Sequence, residues 1–158
     1  MRSLLIIILL SACKSSLKGD IFYKVARECG STTKSKCTVI LKEVTKFQWD
    51  KMYLFGSWTV PDSVSKMIGF KYDGDEVPDD YRRMVFTFAN RVVYQEDFKP
   101  FDYYSSTLIF AVDGDSLRSQ MTPYFTPEDA IFKVEKSKIK SNCKDCFAYS
   151  LIPVKRPL

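Results

Sequence analysis

Short runs rich in β-branched and aromatic residues, each closed by a turn signal, recur along most of this chain. They read "CTVILKEVTKF" (37–47), "KMYLFGSW" (51–58), "RRMVFTFA" (82–89), "RVVYQEDF" (91–98), "STLIFAVD" (106–113), "SLRSQMTPYF" (116–125), "AIFKVEKSKIK" (130–140) and "CFAYSLIPV" (146–154). Runs of this length and composition are strands, and their spacing is that of an antiparallel fold. Asn90 marks a hairpin between the third and fourth runs, and Gly114-Asp115 marks another between the fifth and sixth. Gly56 marks a bulge within 51–58. Helical signals are few. Residues 21–28, "IFYKVARE", lean to helix, and Asp62 caps a short helix through Ile68 that ends at Gly69. Thr126-Pro127-Glu128-Asp129 starts a single short turn. The expected fold is α+β and β-rich: a mainly antiparallel sheet or sandwich with one to three short helices.

Composition narrows the chemistry. The chain has no histidine, so Ser-His-Asp and Cys-His catalysis cannot be built from it, and the commonest metal ligand is missing. The net charge of +5 is mild and interspersed, which does not imply nucleic acid. Aromatic residues make up 15% of the chain, enough for a β-rich core and for a recognition face as well.

The unbroken apolar run Leu4 to Leu10 follows Arg2 and precedes Ser11 and Ala12. It is far too short to span a membrane, which takes roughly 20 apolar residues. A positive start, an apolar middle and a small-residue exit describe an export signal. Leu10-Ser11-Ala12-Cys13 resembles the lipobox of bacterial lipoproteins. The resemblance implies a diacylglyceryl group on the Cys13 thiol, cleavage between Ala12 and Cys13, and anchoring by two or more acyl chains. Lys14 stands where an inner-membrane retention signal would have Asp, which favours the periplasmic face of the outer membrane. The expected organisation is a signal peptide over 1–12, a lipid anchor and polar tether over 13–20, and one β-rich domain over 21–158.

With Cys13 lipidated, Cys29, Cys37, Cys143 and Cys146 remain, an even number that reads as two disulfides in an oxidising compartment. Three pairings are open. Cys29–Cys37 with Cys143–Cys146 is favoured because each closes a short local loop. The spacing of Cys143 and Cys146 is also that of thiol oxidoreductases, but the motif enters a strand rather than opening a helix. A four-cysteine zinc site would want two C-x₂-C knuckles, and here one pair is spaced by eight positions. No metal or cofactor is expected.

The stretch "FQWDKMYLFGSWTV" (47–60), with the helix after it, is the most distinctive. Trp49-Asp50, Tyr53, Phe55, Trp58-Thr59 and Ile68-Gly69 resemble a pattern of small uncharacterised bacterial lipoproteins, with Trp58 in place of Tyr and Ile68 in place of Leu. Strand alternation puts Trp49, Lys51, Tyr53 and Phe55 on one face. The odd separation of Trp49 and Trp58 puts those two on opposite faces of an uninterrupted strand, one core and one exposed, whereas a bulge at Gly56 would bring both to one face. Trp49, Asp50, Tyr53 and Trp58 are the candidate binding residues. "DGDEVPDD" (73–80) holds five acidic side chains, in a spacing that misses the helix–loop–helix calcium pattern. Lys136, Lys138 and Lys140 fall on one side of an extended segment and suit a protected sheet edge.

These features favour a lipid-anchored envelope protein with a non-catalytic binding domain, whose partners are the membrane, through its anchor, and a protein in the envelope. The alternative is a periplasmic inhibitor or immunity protein against a toxin or wall hydrolase. A third reading is a hydrolase working with carboxylates alone, although no catalytic motif is present.

Overall fold

The computed structural model of the chain describes residues 16–30, 37–100, 106–112, 124–139 and 145–154. In order these form helix α1 (Leu17–Cys29), strand β1 (Thr38–Ile40), a 3₁₀ turn (Leu41–Glu43), β2 (Lys51–Phe55), α2 (Pro61–Ile68), β3 (Arg82–Phe88), β4 (Arg91–Phe98), β5 (Thr107–Phe110), β6 (Tyr124–Phe125), β7 (Ile131–Lys138) and β8 (Phe147–Pro153). The strands make two four-stranded sheets, ordered β1-β7-β8-β5 and β4-β3-β2-β6. The fold is α+β and β-rich, as the strand signals lead one to expect. All pairs are antiparallel except β5 with β8, which run parallel.

The main core lies between the sheets. Met52, Leu54, Met84 and Phe86 face inward from one sheet, and Leu108, Phe110, Phe132, Val134, Tyr149 and Leu151 from the other. Helix α1 adds Leu17, Ile21, Val25 and Cys29, an i, i+4 stripe that follows from helical periodicity. A second apolar cluster covers the opposite face of the β4-β3-β2-β6 sheet, where Tyr53, Phe55 and Val85 meet Val64 and Ile68 of α2 together with Tyr72 and Val77. This sheet is therefore buried on both faces. That is why β2 and β3 read as near-continuous apolar runs rather than alternating ones.

Several expectations are corrected. Helix α1 begins at Leu17, so residues 17–20, expected in the tether, are its first turn. Ser16 caps it, with its Oγ accepting from the Gly19 N–H at 3.1 Å. Residues 41–43 of the expected strand 37–47 curl into a 3₁₀ turn. Asp62 is not the cap of α2. Pro61 takes the first helical position, where its missing N–H costs nothing, after Val60, and Asp62 sits in the first turn. Gly69 ends that helix with a left-handed φ of 86°. Ala89 and Asn90, at φ 49° and 58°, form the two-residue turn between β3 and β4. A bulge shifts that ladder between Phe86 and Thr87, not at Gly56, which lies beyond the end of β2. The expected hairpin of the fifth and sixth runs is not formed: β5 pairs with β8 and β6 with β2, in different sheets. Gly114-Asp115 lies outside the described residues.

Candidate functional site

The four candidate binding residues do not converge. Alternation holds for Lys51, Tyr53 and Phe55, which share a face with Tyr124, but does not reach back to Trp49, because the strand starts only at Lys51. Trp49 precedes it and turns into the core between the sheets, 6% exposed, edge-on to Phe86 at 5.0 Å. Its Nε1 donates to Thr45 Oγ1 at 2.9 Å. Tyr53 points to the opposite face, where it packs with Phe55 and Tyr124, and burial pushes its phenol up to about 12. Asp50 braces the β3–β4 turn, accepting from Thr87 Oγ1 at 2.8 Å and from the Ala89 N–H at 3.2 Å. Its carboxylate is thus engaged in holding the chain together. Near Trp49 an open groove of about 360 Å³ is bordered by Lys42, Thr45, Gln48, Phe88 and Glu128. The Lys42–Glu128 ion pair at 3.5 Å already satisfies the charges on its rim.

Trp58 is the aromatic residue of the four that meets solvent, 64% exposed, with Val60 two positions on at 42%. It has a φ of 64°, a left-handed backbone that costs an L-residue roughly 1–2 kcal/mol. The surroundings enforce it. The Trp58 N–H donates to the Val77 carbonyl at 2.9 Å, and the Val77 N–H donates back to the Thr59 carbonyl at 3.1 Å. Thr59 Oγ1 donates to the Gly56 carbonyl at 2.8 Å, and Ser57 Oγ to the Tyr81 carbonyl at 2.9 Å. The segment carrying Trp58 is thereby laced to the acidic loop.

That loop is fixed from beneath by Arg83. Its guanidinium is buried and grips Asp97 through two bonds of 2.5 and 2.6 Å. It also donates to the Tyr72 hydroxyl at 2.9 Å and to the Asp75 carbonyl. The Tyr72 hydroxyl donates on to Gln95 Oε1 at 2.7 Å. The Asp97 carboxylate raises the guanidinium's affinity for its proton, so the cation is permanent. Gly74 lies so close over Tyr72 that a Cβ there would come within 2.3 Å of the phenol oxygen. Asp73 pairs with Lys71 at 2.6 Å. Asp75, Glu76, Asp79 and Asp80 remain exposed and form no ion pair among the described residues.

Cys29 and Cys37 form a disulfide with a Cα–Cα distance of 5.6 Å, tying the end of α1 to the start of β1. Cys146 is also disulfide-bonded. Cys143, Cys13 and Lys140 lie outside the described residues. Lys136 sits 3.9 Å from the centroid of the Phe147 ring and donates to the Gly30 carbonyl at 2.7 Å, so it bridges β7 to the end of α1; β7 lies between β1 and β8, so Lys136 and Lys138, expected to protect a sheet edge, stand instead on an interior strand. Among the described residues no group of three or more His, Cys, Asp or Glu could hold a metal ion, and no helix is long and apolar enough to cross a membrane. Glu96 is engaged at the start of α1, where it accepts from the Lys18 N–H at 3.1 Å.

Sequence reasoning missed Arg83, Asp97 and Tyr72, since three residues from separate elements carry no local pattern. No family model matches the chain, nor does any curated protein or solved structure.

Proposed function

We propose that this chain is a lipid-anchored bacterial envelope protein whose β-rich domain acts by binding a partner rather than by catalysis. The observation that carries the reading is the amino-acid sequence of the export signal ending in Leu10-Ser11-Ala12-Cys13. A short apolar run after Arg2 and two small residues before a cysteine are what an acylating export pathway reads. The Cys29–Cys37 disulfide and the disulfide-bonded Cys146 fit an oxidising compartment. The lack of histidine and the structural roles taken by Asp50, Glu96 and Asp97 support binding over acid–base chemistry. On this reading the outer membrane holds the anchor, since Lys14 follows the cysteine.

Ser16 caps α1 only three residues after Cys13. Three residues reach at most about 11 Å when extended. The lipid would therefore hold the domain against the membrane surface rather than at the end of a long leash. Metabolic labelling with a radioactive fatty acid tests the anchor. The wild-type chain should take up label and Cys13→Ser should not. Label retained in Cys13→Ser would refute the proposal.

A further inference from the structure

We propose that the Trp58 face docks an extended, lysine- or arginine-rich segment of a protein partner, with a cationic side chain lying over the indole among the carboxylates of the acidic loop. This inference rests on the domain being a binding module and is independent of the lipid anchor.

An exposed tryptophan on a rigid mount is the first element. Trp58 is 64% exposed, yet its backbone is held by hydrogen bonds from both sides. Little ordering is then required when a partner arrives, which is the condition under which an aromatic anchor contributes most to binding. Val60 extends the apolar contact.

Charge is the second element, and it selects the occupant. The whole chain is basic, at +5, but five of its acidic residues fall within 73–80. Val77 lies at the middle of that loop and is the residue hydrogen-bonded to Trp58 and Thr59, so Glu76 and Pro78 directly flank the tryptophan's attachment. Asp75, Glu76, Asp79 and Asp80 are exposed and make no ion pair among the described residues. A purely apolar partner would strip water from these carboxylates and return nothing. Nucleic acid and anionic lipid would be repelled. An ammonium or guanidinium is attracted both by the indole face and by the carboxylates. The base under the loop is charge-neutral, because Arg83 and Asp97 satisfy each other, and Lys71 offsets Asp73, which leaves the other four carboxylates to attract a cation.

The test uses the full chain in mild detergent and a fluorescein-labelled nona-arginine peptide, read by anisotropy at low and moderate salt. We expect saturable binding that weakens as salt is raised and a change in Trp58 emission. Nona-glutamate should not bind. Trp58→Ala should weaken binding at least tenfold, and Trp58→Phe should restore most of it. The triple variant Glu76→Gln, Asp79→Asn, Asp80→Asn should weaken it comparably. Melting curves establish that each variant is folded, and the exposed positions chosen make that the expected result. Equal binding by Trp58→Ala and wild type would overturn the proposal, as would indifference to the triple substitution or no binding at millimolar peptide. Cys13→Ser should bind the peptide as wild type does, so failure here and failure of the anchor are separate results.

Discussion

Trp49 and Trp58 should respond to truncation in opposite ways. Trp49→Ala removes a ring packed against Phe86 and should cost roughly 3–5 kcal/mol. Trp58→Gly removes an exposed ring from a left-handed backbone, so stability should be unchanged or rise by up to about 1 kcal/mol. Thermal melts of the two variants check both. The odd spacing of the tryptophans led to the right division for the wrong reason: neither lies in β2, and each takes its place from the turn beside the strand. A left-handed tryptophan has no signature in composition or alternation; it depends on the backbone bonds to Val77. Titration offers another check at this scale. Burial pushes the phenols of Tyr53 and Tyr94 up to about 12. The folded state then keeps protons that the unfolded chain loses near pH 10. Stability is full below that pH and falls as pH rises towards 12, by about 2 kcal/mol for Tyr53 alone. Denaturant midpoints at pH 8 and pH 11 should diverge in wild type, and Tyr53→Phe should narrow the gap.

Between elements, the acidic loop is joined to its sheet by the Tyr72–Arg83–Asp97 network, and Gly74 leaves room for it. Gly74→Ala forces the phenol aside and should cost about 1–3 kcal/mol, with faster amide exchange at Trp58 and Val77. Amide exchange unchanged at both positions would show that the loop is held some other way. The disulfide between Cys29 and Cys37 joins α1 to β1 across a sequence separation of 8, and its reduction should cost about 2.5 kcal/mol through unfolded-chain entropy. Local pairings were legible because their signals are local. Asn90 marks the β3–β4 hairpin, and Gly69 the end of α2. The partners of β5 and β6 were not, because a parallel pairing of Thr107–Phe110 with a strand some forty residues later leaves no turn signal between them.

For the molecule as a whole, the two sheets and α1 share one apolar core, and α2 closes a second on the opposite face of the β4-β3-β2-β6 sheet. The candidate site illustrates what a sequence can and cannot reveal about it. Trp58 and the acidic loop are each conspicuous as text, but only the fold brings them together, through two backbone hydrogen bonds between residues nearly twenty positions apart. Above that fold stands the proposal that the whole domain is held at a membrane by lipid on Cys13. The most direct measurement is mass spectrometry of the mature protein's N-terminal peptide from bacterial membranes. The account predicts a chain beginning at Cys13 and carrying the mass of a diacylglyceryl group, with a further acyl chain on its amine. An N-terminus at any other residue, or an unmodified Cys13, would contradict it.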